Sequence, residues 1–202
     1  MRTVAILLFN EIEVLDFAGP FEVFGVTGKQ AGQEPPFLVF TVAERGPIFA
    51  RNGLCITPTY LLNDHPKANI VVVPGGGGIH SDGTPYGSRR EMDNAVVLNW
   101  IRRSNESAEL VLSVCTGALL LAKAGLLENL SATTHYSAAN SLAQMAPQTT
   151  VLPAERYIDN GRIITSAGIS AGIDMSLYVV SKLLGKPVAD ETARYMQYDY
   201  WK

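Results

Sequence analysis

The sequence predicts an α/β fold, a mostly parallel sheet wound on both faces by helices, and three observations carry that expectation. Apolar runs at residues 3–9, 37–42, 70–73 and 109–114 read as strands buried on both faces, as in parallel sheets. Segments with helical periodicity separate them. Asp159-Asn160-Gly161 sits between extended arms and marks an antiparallel hairpin added to the sheet.

The elements follow in order. Thr3 to Phe9 is an unbroken apolar strand, and Asn10 to Asp16 is a loop entering a helix in which Pro20 fits a first-turn position. Phe21, Val23 and Phe24 supply that helix with an apolar face. After the strand at 37–42, residues 47–60 read as short extended segments; Cys55 falls there and is expected to pack. The strand at 70–73 ends abruptly at Pro74-Gly75-Gly76-Gly77-Gly78. Asn94 to Arg103 is a helix carrying Val97, Leu98, Trp100 and Ile101, and it feeds the strand that ends at Cys115. Ala132-Thr133-Thr134 reads as a short strand closing at His135, followed by a helix from Ser137 to Met145. A long helix spans 170–184 to Gly185, and a last one spans 188–198 beyond Lys186-Pro187.

The 202 residues suit one domain, 1–202, with 47% hydrophobic residues to fill a core between helices and sheet. A net charge of −3 without a basic run gives no nucleic-acid footprint, and Arg89-Arg90 and Arg102-Arg103 read as solvated helix faces. No apolar stretch reaches membrane-spanning length, and the N-terminus enters a strand without a signal-peptide pattern, so a cytosolic protein is expected. Two cysteines in different local patterns argue against a disulfide there. His65, His80 and His135 lie far apart, without metal-ligand spacing; no metal and no cofactor is expected.

The chemistry centres on Cys115. Residue type alone favours a buried packing role, since free Cys behaves as a small hydrophobe. The flanks point elsewhere: Leu110-Val111-Leu112-Ser113-Val114 turns within one residue into Thr116-Gly117-Ala118-Leu119-Leu120, the layout of a nucleophile elbow. A helix starting there aims amide N–H groups at the sulfur and is expected to lower the thiol pKa. Carboxyl ends of strands converge in sheets of this kind, which brings Asp16, the glycine run, Cys115 and His135 together. The glycine run lacks P-loop and dinucleotide patterns. Its expected use is close backbone approach, with the Gly76 and Thr116 N–H groups forming an oxyanion hole; a tight turn is the alternative for Gly77 and Gly78. Asp16 reads either as a helix N-cap or as a carboxyl raised by apolar surroundings into a proton-transfer role. The Thr116 hydroxyl lies beside the nucleophile, or caps its helix. His135 is an accessory candidate, or a hydrogen-bonded structural residue.

Leu15-Asp16-Phe17-Ala18-Gly19-Pro20, Val73-Pro74-Gly75-Gly76, Ser113-Val114-Cys115-Thr116-Gly117-Ala118, Thr133-Thr134-His135 and the segment from Thr165 to Asp174 together resemble the ThiJ/PfpI superfamily, over nearly the whole chain. The resemblance is strongest to the isonitrile hydratase branch and to the ligand-domain half of AraC-type regulators. It implies a flavodoxin-like three-layer sandwich, a homodimer, and a small-molecule substrate. In PfpI-type proteases a His follows the nucleophile; Thr116 stands there here, which argues against proteolysis. Carried over from the hydratase branch, Cys115 is the nucleophile, Asp16 the proton donor and acceptor, and Thr116 a polar neighbour. The reaction implied is hydration of an isonitrile to an N-substituted formamide. Glyoxalase-like or amidase-like chemistry and a non-catalytic ligand or redox sensor are the rivals; His135 within reach of Cys115 would favour the amidase-like or glyoxalase-like chemistry. AraC-type regulators carry a C-terminal helix-turn-helix pair, for which no room is expected before the closing Tyr198-Asp199-Tyr200-Trp201-Lys202; with the charge and hydropathy above, neither nucleic acid nor membrane is an expected partner.

Overall fold

A computed structural model describes residues 1–29 and 34–199; Tyr200, Trp201 and Lys202 lie outside them. The chain runs through β1 (Arg2–Leu7), α1 (Val14–Val26), β2 (Phe37–Ala43), the short strands β3 (Ile48–Phe49), β4 (Cys55–Ile56) and β5 (Tyr60–Leu61), and β6 (Ile70–Val73). A hairpin of β7 (Gly77–Ile79) and β8 (Pro85–Gly87) leads into α2 (Ser88–Glu91), α3 (Ala95–Ser107), β9 (Leu110–Val114) and α4 (Gly117–Lys123). Then come β10 (Ser131–Ala132), α5 (Ala139–Met145), β11 (Thr150–Val151), β12 (Tyr157–Asp159), β13 (Ile163–Ser166), α6 (Ala171–Leu184) and α7 (Lys186–Tyr195).

Seven strands make one sheet in the order β12-β13-β9-β6-β1-β2-β5, and only the β12–β13 pairing is antiparallel. Helices α1, α6 and α7 pack together on one face, and α3, α4 and α5 on the other, giving the flavodoxin-like three-layer arrangement. The central strands are apolar over most of their length because both faces are covered: Val4 to Leu7, Ile70 to Val73, and Leu112 have no exposed surface. From β1 the chain steps outward to β2 on one side and through β6, β9 and β13 on the other. This reversal opens a crevice at the carboxyl ends of β1 and β6, where such sheets bind ligands.

Three local expectations are corrected. Pro20 is the interior proline of α1, not a first-turn residue, because the helix begins at Val14 and takes Asp16 into its first turn. The strand expected at 132–134 does not join the central sheet. Its first residues pair with β11, while Thr133 and Thr134 are tied down by hydroxyl bonds: Thr133 N–H donates to Thr165 Oγ1 (3.0 Å) and Thr134 Oγ1 donates to the Cys115 carbonyl (2.8 Å). Cys55, expected to pack, is exposed on a two-residue strand in a ribbon beside the sheet. Among the described residues no helix is long and apolar enough to cross a membrane.

Candidate active site

The elbow is built by closure of the backbone around Cys115. Val114 ends β9, and Cys115 adopts φ 56°, the left-handed region, before α4 begins at Gly117. A non-glycine residue there costs on the order of 1–3 kcal/mol and persists only where its surroundings over-determine it. Here they do: Cys115 N–H donates to the carbonyls of Ser166 (3.2 Å) and Ala167 (3.1 Å), and its own carbonyl accepts from Thr134. Gly117 completes the turn, because a Cβ at that position would overlap the Val73 carbonyl oxygen. The thiol is 5% exposed, so the site admits only a slender reactant unless the loops around it move.

The backbone N–H groups of Thr116 and Ile169 lie near the sulfur and favour its ionised form. Ile169 follows β13 in the loop before α6 and is itself left-handed, φ 49°, which turns its amide inward. Asp16, fully buried in the first turn of α1, faces the same thiol. Its Oδ2 accepts from Gly75 N–H (3.1 Å), so the carboxyl is not a helix cap; Oδ1 is buried and receives no hydrogen bond. Burial pushes the Asp16 carboxyl up to about 7, against the Gly75 N–H. Burial and the carboxylate push the Cys115 thiol up to about 12, and the Thr116 and Ile169 amides recover only part of that. The expected lowering of the thiol pKa is therefore overturned: desolvation and a like-charge neighbour outweigh the amide dipoles. Carboxylate and thiolate together are excluded near neutrality, and the pair titrates as a unit sharing protons.

The other expected residues fall into two groups. Thr116 lies in the site, but its hydroxyl is a structural knot, accepting from Gly76 N–H (2.9 Å) and bonded to Ser88 Oγ (2.9 Å). The Gly76 N–H expected in an oxyanion hole is thus engaged by Thr116, and the second amide that favours the ionised sulfur is that of Ile169. Gly75 is the glycine the site needs, since a Cβ there would overlap the Thr116 amide and hydroxyl; Gly77 and Gly78 turn into the β7–β8 hairpin. His135 packs its ring edge on Gly168, next to Ile169, but its Nδ1 engages Ser137 Oγ (2.8 Å) and no hydrogen bond joins it to Cys115. Burial and the positive charge of Arg89 hold the imidazole pKa below its ordinary value.

Sequence reading missed Ser88, Arg89 and the Ile169 amide. Arg89 is half-buried rather than solvated, and its charge acts on both Cys115 and His135. Only the small-residue segment from Ala167 to Gly172, already part of the recognised pattern, could have pointed to Ile169; nothing in the local pattern distinguishes Arg89 from Arg90. Among the described residues no group of three or more His, Cys, Asp or Glu side chains is placed to hold a metal ion.

Residues 2–182 match the DJ-1/PfpI family. The chain is 31% identical to isonitrile hydratase of Pseudomonas putida over 96% of its own length and 78% of that enzyme. It is 30% identical to the HTH-type transcriptional regulator CdhR of Pseudomonas aeruginosa over 73% of its length, which spans only 40% of the regulator. Among solved structures, a ThiJ/PfpI family protein from Pseudomonas syringae superposes with a TM-score of 0.84 at 28% identity, covering 98% of this chain and 75% of that one. Drosophila melanogaster DJ-1beta shares the fold, with a TM-score of 0.79 at 20% identity over 98% of this chain and 99% of that one. A family model that matches nearly the whole chain, with the sheet order and layers described above, establishes that this chain belongs to the DJ-1/PfpI family.

Proposed function

We propose that the protein hydrates isonitriles to N-substituted formamides, with Cys115 as nucleophile and Asp16 as proton carrier. One observation carries the reading: a buried carboxyl held near neutrality, with an unbonded oxygen, faces a protonated thiol that has no histidine base. Such a pair suits a reactant whose electrophilic carbon must also receive a proton. The terminal carbon of an isonitrile is that kind of centre, and its linear head suits the narrow approach to the sulfur.

The steps balance without a further reactant. Asp16, ionised, takes the thiol proton as Sγ bonds to the terminal carbon; it then delivers the proton to that carbon, leaving a thioimidate, R–N=CH–S–Cys115. Water adds across C=N with Asp16 relaying a proton, and the tetrahedral adduct expels the thiolate, which recovers its proton. The product is R–NH–CHO. The Thr116 and Ile169 N–H groups stabilise negative charge on sulfur at its arrival and departure. The similarity to isonitrile hydratase supports the same reaction.

We place the protein in the cytosol as a homodimer; exposed Phe49 and Leu54 on the β3–β4 ribbon, which bonds to the loop before α1, support self-association. The test is NMR detection of formamide from an aryl isonitrile. Cys115→Ala and Asp16→Asn each abolish it while the fold is retained, and His135→Ala keeps turnover within a few fold. Full turnover by Cys115→Ala would sink the mechanism. Loss of turnover in His135→Ala, with the fold intact, would favour the amidase-like chemistry.

A further inference from the structure

Arg89 and Arg90 are adjacent in sequence and opposite in circumstance. Arg90 is saturated: it bonds Glu11 (2.6 Å), Glu91 (2.9 Å) and the Asn10 carbonyl (3.2 Å). Arg89 lies half-buried with one long contact, Nη1 to Ser88 Oγ at 3.4 Å, and no carboxylate within ion-pair distance among the described residues. The acids nearby are engaged elsewhere, Glu11 and Glu91 by Arg90 and Glu13 by Arg51 (3.2 Å). A guanidinium withdrawn from water without a partner is costly, and its planar fork matches a carboxylate.

Its place ties it to the reaction. Ser88 Oγ, the group it touches, bonds the hydroxyl of Thr116 at 2.9 Å, and Thr116 is the residue that follows Cys115 in the elbow. Arg89 is close enough for its charge to act on Cys115, His135 and the Tyr86 phenol. The guanidinium therefore stands at the edge of the site, where the part of a substrate remote from the reacting carbon would lie.

We infer that Arg89 sets specificity, receiving a carboxylate carried on the R group of the isonitrile, so that the substrate class is isonitriles of carboxylic acids. The inference rests on the hydratase reading for the word isonitrile, and on Arg89 alone for the carboxylate. A charge-assisted pair of this kind is worth about 1.5–3 kcal/mol, or roughly a 10- to 150-fold preference over a neutral analogue.

The experiment has two arms. In the first, kcat/KM is measured for 4-isocyanobenzoate and for its primary amide in the wild type, Arg89→Lys and Arg89→Met. The expected acid-to-amide ratio is about 10 or more in the wild type, reduced in Arg89→Lys, and near one in Arg89→Met. Reading the ratio within each protein cancels any general loss of activity. If Arg89 acted only by favouring the thiolate, both substrates would slow together and the ratio would hold, which overturns the inference; so does a wild-type ratio near one. In the second arm, 4-formamidobenzoate and its amide are titrated calorimetrically into Cys115→Ala and into Cys115→Ala/Arg89→Met. Tighter binding of the acid, lost in the double variant, supports the carboxylate site even if no isonitrile is turned over, an outcome that defeats the hydratase reading alone. Equal binding of acid and amide overturns the site even if hydration is confirmed.

Discussion

Replacing Asp16 with Asn should stabilise the protein at alkaline pH while removing its activity. The carboxyl has no exposed surface, and its pKa stands at about 7 in the fold against an ordinary 3.8. Between those values the native state holds a proton that the unfolded chain releases, so stability is greatest at low pH and declines as pH rises through the folded pKa. At about 1.36 kcal/mol per pH unit the decline from pH 5 to pH 8 is roughly 2–3 kcal/mol, and it levels off above the folded pKa. An amide in the same place does not titrate, and other titrations largely cancel between the two proteins. Urea unfolding of the wild type and Asp16→Asn at pH 5, 6, 7 and 8 reads the difference directly. Asp16→Asn should gain on the wild type by roughly 2–3 kcal/mol across that range, with the steepest change below neutrality. A difference constant within about 0.5 kcal/mol would refute the reasoning, because burial would then not be holding the proton on Asp16.

Two further outcomes follow from the same geometry. With the thiol pushed up to about 12, largely by burial and then by Asp16, Cys115 in a Cys55→Ser background should alkylate slowly at pH 8, and Asp16→Asn should move the rise in iodoacetamide rate to lower pH; an unchanged profile would show that the carboxylate does not act on the sulfur. Gly117→Ala, whose Cβ would overlap the Val73 carbonyl, should cost more than about 3 kcal/mol in urea unfolding or prevent folding, whereas Gly125→Ala, with open space around it but φ 80°, should cost about 1–2 kcal/mol; equal losses would remove close helix–strand approach as the reason for Gly117.

The frame of the fold was legible because its signals are local. The runs now forming β6, β9 and β1 from Val4 onward are buried on both faces, β2 is so from Phe40 onward, and such runs state their environment without long-range help. The strand-to-helix switch at Cys115 is equally local, as is the hairpin at Asp159-Asn160-Gly161. What sequence reading missed depends on contacts across tens of residues. Whether Pro20 is a first-turn or an interior proline turns on where α1 starts, and Glu13 N–H is fixed by the Gly75 carbonyl (3.0 Å). Thr133 and Thr134 look like strand residues, but the Thr133 N–H is taken by the Thr165 hydroxyl in β13 and the Thr134 hydroxyl by the Cys115 carbonyl at the elbow, instead of a ladder. The assignment of the Gly76 amide failed for the same reason, since Thr116 Oγ1 reaches it from a different element.

The sign of the Cys115 perturbation is the most consequential of these differences. An elbow ahead of a helix suggests a thiolate, and a thiolate suggests a nucleophile that waits ionised. Burying the sulfur beside Asp16 makes that state unfavourable and links ionisation to proton acceptance by the carboxyl. In the proposed reaction, attack on carbon is then coupled to loss of the thiol proton to Asp16, which next delivers it to the same carbon, and this suits a substrate carbon that accepts both. A peptide carbonyl needs the proton on its leaving nitrogen, at a distance from the attacked carbon, and a histidine beside the nucleophile serves that need. Here Thr116 occupies the adjacent position and His135 makes no bond to the thiol, while Asp16, the acid beside the sulfur, would in the proposed reaction return the proton to the atom the sulfur has just attacked. The same pairing keeps the sulfur protonated at rest, so the protein's activity should depend on Asp16 more steeply than on any change in the amides around Cys115.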